Sequence, residues 1–235
     1  MKEGLPPLYQ DGTYLSRNPT WHTEDSEEKA GWILRLIDHH RIQPSTICEV
    51  GCGAGEILNQ LSQKLEGPVT FYGYEVSPQA FDLCRSRQKE NIHFYCKDVL
   101  EEDASFDLVL AIDVVEHVED YLSFLRGLKN KGQYKIFRIP LNVSAQSVLF
   151  KSAPILKARN TFGHLHYFTK ETALATLEYT GYSVVDFFYT YGPISLHHLG
   201  LRKYLPKSLK KILFSIHKEW IARLLDGFSM MILAE

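Results

Sequence analysis

The chain has 235 residues, of which 45% are apolar and 23% are charged, and its formal net charge is −2. This composition is ordinary for a globular chain with a large core, and it excludes a molecule that is basic overall, as nucleic-acid-binding proteins often are. No run of 18 apolar residues is present, so no membrane span is predicted, and residues 1–7 lack the apolar centre of a signal peptide. The four cysteines show no metal or redox spacing, which favours reduced thiols in a cytoplasmic protein.

The chain opens with an aromatic-rich arm and a helix, which together form the predicted N-terminal region 1–41. Tyr9, Tyr14, Trp21 and His22 lie in the arm, which either closes over a cofactor or substrate or fastens itself to the core. Residues 27–41 carry apolar side chains at helical spacing and acidic residues in the first turn. We therefore predict a helix that leads into a second region, 42–235.

Strand and helix patterns alternate through the second region. The predicted strands cover 47–50, 69–75, 92–96, 106–112, 134–139, 182–189 and 228–234. The fourth is apolar throughout, which predicts burial on both faces. Pro140 is expected to end the fifth strand, residues 141–168 are expected to be irregular, and Thr169 is expected to cap a helix. The alternation predicts an α/β fold with a mostly parallel sheet and helices on both faces.

A glycine turn follows the first strand and distinguishes between two kinds of ligand. Gly51, Gly53 and Gly55 alternate, so the third glycine comes one residue earlier than in the dinucleotide fingerprint G-x-G-x-x-G. Glu49 lies two residues before the first glycine, and a carboxylate beside a ligand suits a cationic amine better than a pyrophosphate. Glu75 ends the second strand, where an acid can accept two hydrogen bonds from a ribose diol.

Two later stretches also follow strand ends. Asp98 and Val99 come after the third strand, and Asp113-Val-Val-Glu116-His117 forms the loop after the fourth. Together with the acid-x-G-x-G-x-G pattern, they resemble the motifs of class I S-adenosylmethionine (SAM) methyltransferases. The D-V-x-E-H stretch is similar to that of the branch that includes the ubiquinone-biosynthesis O-methyltransferases. The resemblance covers about residues 44–140, and more loosely 164–235.

The resemblance implies a Rossmann-like sheet of seven strands in the order 3-2-1-4-5-7-6, with SAM as cofactor and S-adenosylhomocysteine as product. It places Asp98 at the adenine amino group, Val99 on the adenine ring and Asp113 near the methionine part of SAM, with Glu116 and His117 orienting the loop. The full set of expected cofactor-binding residues is Glu49, Gly51, Cys52, Gly53, Gly55, Glu75, Val76, Asp98, Val99 and Asp113.

Two histidines before the last predicted helix are candidate general bases. His166, and after it His164, lie in the stretch Gly163-His-Leu-His-Tyr-Phe-Thr169, and an imidazole near neutrality can take a proton from a nucleophile. Such stretches also occur in SAM methyltransferases of the same broad branch. A helix-entry motif that packs on the sheet is the structural alternative. The two histidines could also ligate a metal, but the sequence shows no third ligand beside them, so no metal site is predicted.

The segment between the last two strands differs in charge from the rest of the chain. Residues 197–226 hold seven Lys or Arg against two acidic residues, and apolar residues recur at helical spacing between 209 and 225. We predict a basic amphipathic helical insertion at about 192–227. Residues 206–226 could contact an anionic membrane surface or acceptor, or simply cover the sheet edge.

The predicted function is methyl transfer from SAM to a small-molecule, glycan or lipid-linked acceptor, with O-methylation favoured and with no nucleic-acid partner. One alternative is a SAM-binding module without methyl transfer. Another is an NAD(P)-dependent oxidoreductase, which the displaced third glycine and Glu49 disfavour. A third, an aminopropyl transferase on the same sheet, lacks an acid-rich loop after the fourth strand.

Overall fold

The protein is described by a computed structural model that covers residues 9, 11–149, 153–191 and 217–235. Its centre is a seven-stranded sheet in the order β3-β2-β1-β4-β5-β7-β6. The strands are β1 (Thr46–Val50), β2 (Thr70–Tyr74), β3 (Ile92–Tyr95), β4 (Phe106–Ile112), β5 (Gly132–Leu141), β6 (Val184–Tyr191) and β7 (Phe228–Ala234). The first five pair in parallel, and β7 runs antiparallel to both β5 and β6. The predicted fold class and strand order are confirmed.

Nine α-helices are found in the part of the chain that the structure describes. They are α1 (Thr13–Arg17), α2 (Ser26–His39), α3 (Glu56–Lys64), α4 (Pro78–Cys84), α5 (Tyr121–Lys129), α6 (Ala145–Leu149), α7 (Ala153–Phe162), α8 (Lys170–Tyr179) and α9 (Lys218–Leu224). The described helices include none long and apolar enough to cross a membrane.

The sheet separates two apolar core clusters. Leu108, Leu110 and Ile112 of β4 belong to the cluster that also contains buried residues of α2 and α3, whereas Val109 and Ala111 belong to the cluster with α5 and α8. Alternate side chains of a strand point to opposite faces, so β4 is buried on both sides, as its continuous apolar sequence predicts. Helices therefore cover both faces of the sheet.

Three local predictions have clear outcomes in the structure. The side chain of Thr169 caps α8 by accepting a hydrogen bond from the amide of Thr172, as expected. The prediction that Pro140 ends the fifth strand is wrong, because β5 continues to Leu141. Pairing with β4 ends at Arg138, so the missing N–H of Pro140 costs no hydrogen bond on that side. The prediction that residues 141–168 are irregular is also wrong, since α6 and α7 lie there.

Only part of the predicted basic insertion falls within the described residues. Residues 192–216 lie outside them. The helix α9 represents the C-terminal end of the predicted segment, and its Ala222 packs into the core cluster that contains α5 and α8.

Candidate functional site

The turn between β1 and α3 requires glycine at its centre. Gly53 has a φ of +56°, and a Cβ built there would come within 2.7 Å of Cδ1 of Trp21. Its amide donates a 2.8 Å hydrogen bond to Glu75 Oε2. A larger residue would be strained in this backbone conformation and would also displace the indole. The absence of a side chain at Gly53 therefore lets the backbone of the turn come close to a ligand bound at the carboxyl ends of β1 and β4.

A cavity of about 270 Å³ opens at this edge of the sheet. Its walls come from the arm, the start of α2, the glycine turn, the loop after β4 and the segment before α8. The lining side chains and backbone include Tyr14, Trp21, His22, Lys29, Glu49, Gly51, Cys52, Gly53, Ile112, Asp113, Glu116, His117, Arg138, Pro140, Phe162 and His164. Ligands of doubly wound sheets bind in this position, beyond the carboxyl ends of the strands.

The aromatic arm forms one wall of the cavity. Trp21 and His22 have φ values of 49° and 62°, so two successive non-glycine residues lie in the left-handed region. The His22 ring is held by Tyr14, whose hydroxyl lies 3.1 Å from Nε2, and the Tyr14 ring packs on Trp21 at a centroid distance of 4.7 Å. The His22 ring also packs edge to face on Phe162 of α7 at a centroid distance of 5.7 Å, which ties the arm to another part of the cavity wall.

A buried ion-pair cluster lies at the end of β4. The Asp113 carboxylate accepts hydrogen bonds from Arg138, and it lies 3.0 Å from Nζ of Lys29. Burial alone would raise the pKa of Asp113, but Arg138 and Lys29 together hold it well below its usual range. Asp113 also has a φ of +56°, so the backbone turns sharply there. Arg138 and Lys29 thus hold the Asp113 carboxylate in a fixed position in the cavity wall.

Glu49, at the end of β1, is a second carboxyl group in the cavity wall. It is only 2% exposed, and its Oε2 has no hydrogen-bond partner among the described residues. Burial raises the pKa of Glu49 well above its usual value, while Lys29 opposes that shift. A buried carboxyl oxygen without a donor is costly, and a cationic or hydrogen-bond-donating ligand would satisfy it.

Glu116, His117 and His164 form a compact group in the cavity wall. One ligand atom from each lies within 4.8 Å of the others, and the two imidazole rings meet edge to face at a centroid distance of 4.9 Å. Glu116 is completely buried, and neither of its carboxylate oxygens has a hydrogen-bond partner within the described chain. Glu116 and His117 are therefore candidate metal ligands beside His164, which the sequence alone did not indicate.

Other contacts fix the two rings in this group. The Tyr9 hydroxyl lies 2.8 Å from Nδ1 of His117, and Nδ1 of His164 lies 3.3 Å from Oδ1 of Asn142. Burial lowers the pKa of His117 to about 4 and that of His164 to about 3. Both imidazoles are therefore neutral near pH 7, which leaves a nitrogen lone pair on each ring.

The lowered histidine pKa gives a testable dependence of stability on pH. A His117 that takes up a proton near pH 6.5 when unfolded, but only near pH 4 when folded, stabilises the fold fully above pH 6.5 and progressively less below it. We expect the free energy of unfolding of the parent, relative to His117→Asn, to fall by about 2 kcal/mol between pH 7.5 and 4.5. Urea titrations of both proteins at each pH measure this difference, and a constant difference would contradict the assignment.

The predicted cofactor residues divide into two groups by position. Glu49, Gly51, Cys52, Gly53 and Asp113 line the cavity. The carboxylate of Glu75 is buried beside it, where it accepts 2.8 Å hydrogen bonds from the amides of Gly53 and Ser77. It therefore holds the glycine turn against the start of α4, and its role towards a ribose stays a prediction.

The other predicted cofactor residues lie outside the cavity lining. Gly55 is the residue before α3, with a φ of +76°. Asp98 accepts a 2.9 Å hydrogen bond from the amide of Leu100, and Val99 is completely buried. Val76 likewise does not line the cavity. Their adenosine-binding roles stay predictions.

The two candidate bases do not face the same environment. His164 lines the cavity, whereas Nε2 of His166 lies 3.0 Å and 3.1 Å from the carbonyl oxygens of Val118 and Glu119. The His166 ring also packs on Tyr121 at a centroid distance of 4.4 Å. Because carbonyl oxygens accept hydrogen bonds, the imidazole donates Nε2–H to them and fixes the loop before α5. This geometry favours His164 over His166.

Sequence reasoning did not identify Lys29 or Arg138 as site residues, and it gave Glu116 and His117 only an orienting role. Lys29 faces the cavity from a helix in which it appeared as one of several charged residues. Arg138 is one of two basic residues inside the otherwise apolar β5, the other being Lys135, and this was the available signal, because buried charges are rare unless they are paired.

Comparison with known proteins identifies the class to which this fold and cavity belong. Residues 21–186 match the family model described as a methyltransferase domain, and the chain belongs to that family. It is a class I SAM-dependent methyltransferase domain, as the sequence motifs indicate, and the family uses SAM as its cofactor.

Curated relatives share limited parts of the chain. A pavine N-methyltransferase of Thalictrum flavum is 30% identical over 86 residues, which cover 34% of this chain and 24% of that protein. A ubiquinone biosynthesis O-methyltransferase of Neisseria meningitidis is 27% identical over 127 residues, which cover 49% of this chain and 52% of that protein. The chain thus spans about a quarter to a half of the length of these curated relatives.

Solved structures share the fold over nearly the whole chain. The magnesium protoporphyrin IX methyltransferase of Synechocystis with bound SAH has a TM-score of 0.56 at 14% identity, covering 92% of this chain and 84% of that one. A Haloferax volcanii methyltransferase in complex with the activator Trm112 has a TM-score of 0.61 at 11% identity, covering 95% and 94%. At such identities the similarity shows the fold alone.

Proposed function

We propose that this protein transfers the methyl group of SAM to a hydroxyl group of a small-molecule, glycan or lipid-linked acceptor. The observation that carries the proposal is the buried group of Glu116, His117 and His164 in the wall of the cavity. Burial, and then the nearby Asp113, raise the pKa of Glu116 well above its usual range, so its ionised form is a stronger base than an exposed carboxylate and suits a substrate that must lose a proton. An acceptor amine that is already neutral would need no such group.

The reaction requires alignment and the removal of one proton. The acceptor oxygen attacks the methyl carbon, the carbon–sulfur bond breaks, and the sulfonium becomes the neutral thioether of S-adenosylhomocysteine. Holding the oxygen in line with that bond supplies much of the rate enhancement. The hydroxyl proton leaves towards the carboxylate of Glu116, because burial lowers the pKa of His164 to about 3 and makes that imidazole the weaker acceptor in the cavity wall.

The low pKa of the two histidines makes them weak proton acceptors but leaves their nitrogens free for a cation. Glu116, His117 and His164 offer one carboxylate oxygen and two imidazole nitrogens, which is a suitable ligand set for a divalent transition-metal ion. Such an ion would lower the pKa of a bound hydroxyl. The three side chains would then hold the ion and orient the acceptor.

Peripheral contact of residues 206–226 with an anionic membrane remains part of the proposal. Within the described part of that range, Trp220 is 61% exposed and Leu224 is 49% exposed on α9. Exposed apolar side chains beside a basic segment are typical of interfacial helices. A cytoplasmic location stays a prediction.

The function can be tested with SAM carrying a labelled methyl group. Small-molecule, glycan and lipid fractions are incubated separately with labelled SAM and the protein, with and without a chelator, and labelled products are analysed by mass spectrometry and NMR. A methyl group bonded to oxygen is expected. A methyl group bonded to nitrogen would contradict the hydroxyl assignment, and SAM binding without any labelled product would favour the binding-module alternative.

A further inference from the structure

A second group of potential metal ligands lies on the edge of the sheet opposite the cofactor cavity. His39 and His40 end α2, and Asp186 lies near the start of the edge strand β6. One ligand atom from each residue lies within 4.8 Å of the others. His39 is exposed and the other two are half-buried, so an ion from solvent could reach all three.

The end of α2 explains how two consecutive histidines can converge. Neighbouring residues inside a helix point about 100° apart, so they do not normally share a ligand. Here His40 has already left the helix, and Arg41 adopts a φ of +53°. The amides of Arg41 and Ile42 bond to the carbonyls of Asp38 and Ile37, which is the Schellman arrangement. This turn brings the His40 ring edge to face against His39, at a centroid distance of 4.9 Å.

A bulge in β6 presents the carboxylate. The register of β6 against β7 shifts between Val184 and Asp186, and bulges of this kind redirect side chains. Oδ1 of Asp186 accepts a 2.8 Å hydrogen bond from the amide of Phe187, while Oδ2 lies 2.9 Å from Nε2 of His40. One oxygen is therefore fixed by the backbone, and the other faces the histidine. Metal-binding carboxylates are commonly supported in this way.

We propose that His39, His40 and Asp186 bind a divalent transition-metal ion of the Zn²⁺ type. Two imidazole nitrogens and one carboxylate oxygen match the ligands that Zn²⁺ takes in proteins, and three protein ligands leave a position for water. The ion would replace the proton shared between His40 and Asp186. It would also join the end of α2 to the edge strand, in addition to the His40–Asp186 contact and the stacking of Arg35 on Phe188.

This site is independent of the proposed methyl transfer. β6 runs parallel to β1, so the start of β6 lies at the end of the sheet away from the cavity. The expected consequence of metal binding is a more stable fold, because a ligand that binds only the folded state raises the melting temperature. Affinity for SAM should not depend on the occupancy of this site.

The test is calorimetric titration with Zn²⁺ and thermal melting, both in a His117→Asn background, so that the cavity group does not contribute a second site. Asp186→Asn keeps the oxygen that accepts from Phe187 but weakens the metal ligand, and His39→Ala removes an exposed ligand. We expect each substitution to weaken Zn²⁺ binding at least tenfold and to abolish the Zn²⁺-dependent rise in melting temperature. His93→Ala, which alters a half-buried histidine on β3, is the matched control and should change neither.

Unchanged Zn²⁺ affinity in Asp186→Asn and His39→Ala would overturn the proposal. So would the absence of Zn²⁺ binding in the folded His117→Asn parent, because that protein retains all three ligands. Far-UV circular dichroism verifies folding of each variant, and SAM titration against the His117→Asn parent verifies that the second substitution leaves the cavity unchanged. A negative result here leaves the methyl-transfer proposal untouched, since the two sites share no residue.

Discussion

Gly53→Arg is expected to abolish SAM binding while the protein remains folded. A Cβ at this position would come within 2.7 Å of Trp21, and the remaining arginine side chain would have to enter the cavity or push the indole aside. The φ of +56° adds strain of about 1–2 kcal/mol for any residue with a side chain. Calorimetric titration with SAM and S-adenosylhomocysteine should show at least a hundredfold loss of affinity.

Gly67→Arg is the matched control for this substitution. Gly67 also has a positive φ, of +95°, but a Cβ there would meet nothing within 4 Å. Both variants therefore carry the backbone strain, and only one changes the cavity. Gly67→Arg should bind SAM like the parent. Parent-like binding in folded Gly53→Arg would show that the cofactor lies elsewhere.

The sheet and the glycine turn could be predicted from the sequence because their signals are local. Strands β4 and β7 occur at the predicted residues, since continuous apolar runs identify strands that are buried on both faces. The prediction that Pro140 ends the fifth strand is wrong for a physical reason. A proline stops a strand only where its missing N–H would be needed, and the sequence does not show that β4 ends earlier than β5.

The composition of the cavity wall depends on contacts between distant residues. Asp113 is recognisable in its motif, but its partners Lys29 and Arg138 come from α2 and β5, and no local spacing relates the three. In the same way, Glu116 and His117 contact His164 across an intervening segment that contains α6 and α7. His164 and His166 lie only two residues apart, yet the described loop places their side chains in different surroundings.

Three substitutions separate the role of Glu116 and His164, which line the cavity, from that of His166, which contacts the loop before α5. Glu116→Gln preserves the shape of the side chain and removes its charge and its ability to accept a proton or ligate a cation. His164→Asn removes an imidazole from the cavity wall, and His166→Asn removes one that bonds to carbonyl oxygens outside it. Comparison of the last two tests whether position relative to the cavity, rather than residue type, determines the effect.

Glu116→Gln is expected to lower the turnover number by about 100- to 10 000-fold, which is the range that proton transfer by a positioned side chain contributes. Affinity for SAM should change only a few-fold. The melting temperature should change little, because glutamine has the same shape and the carboxyl oxygens that it replaces have no hydrogen-bond partner in the described structure. A loss of turnover therefore cannot be assigned to unfolding. His164→Asn should also cause a large loss, because it removes an imidazole that would hold a cation and orient the acceptor, whereas His166→Asn should lower turnover less than about tenfold. The result that would refute the assignment is parent-like turnover in Glu116→Gln and His164→Asn, because alignment of acceptor and SAM alone would then account for the reaction.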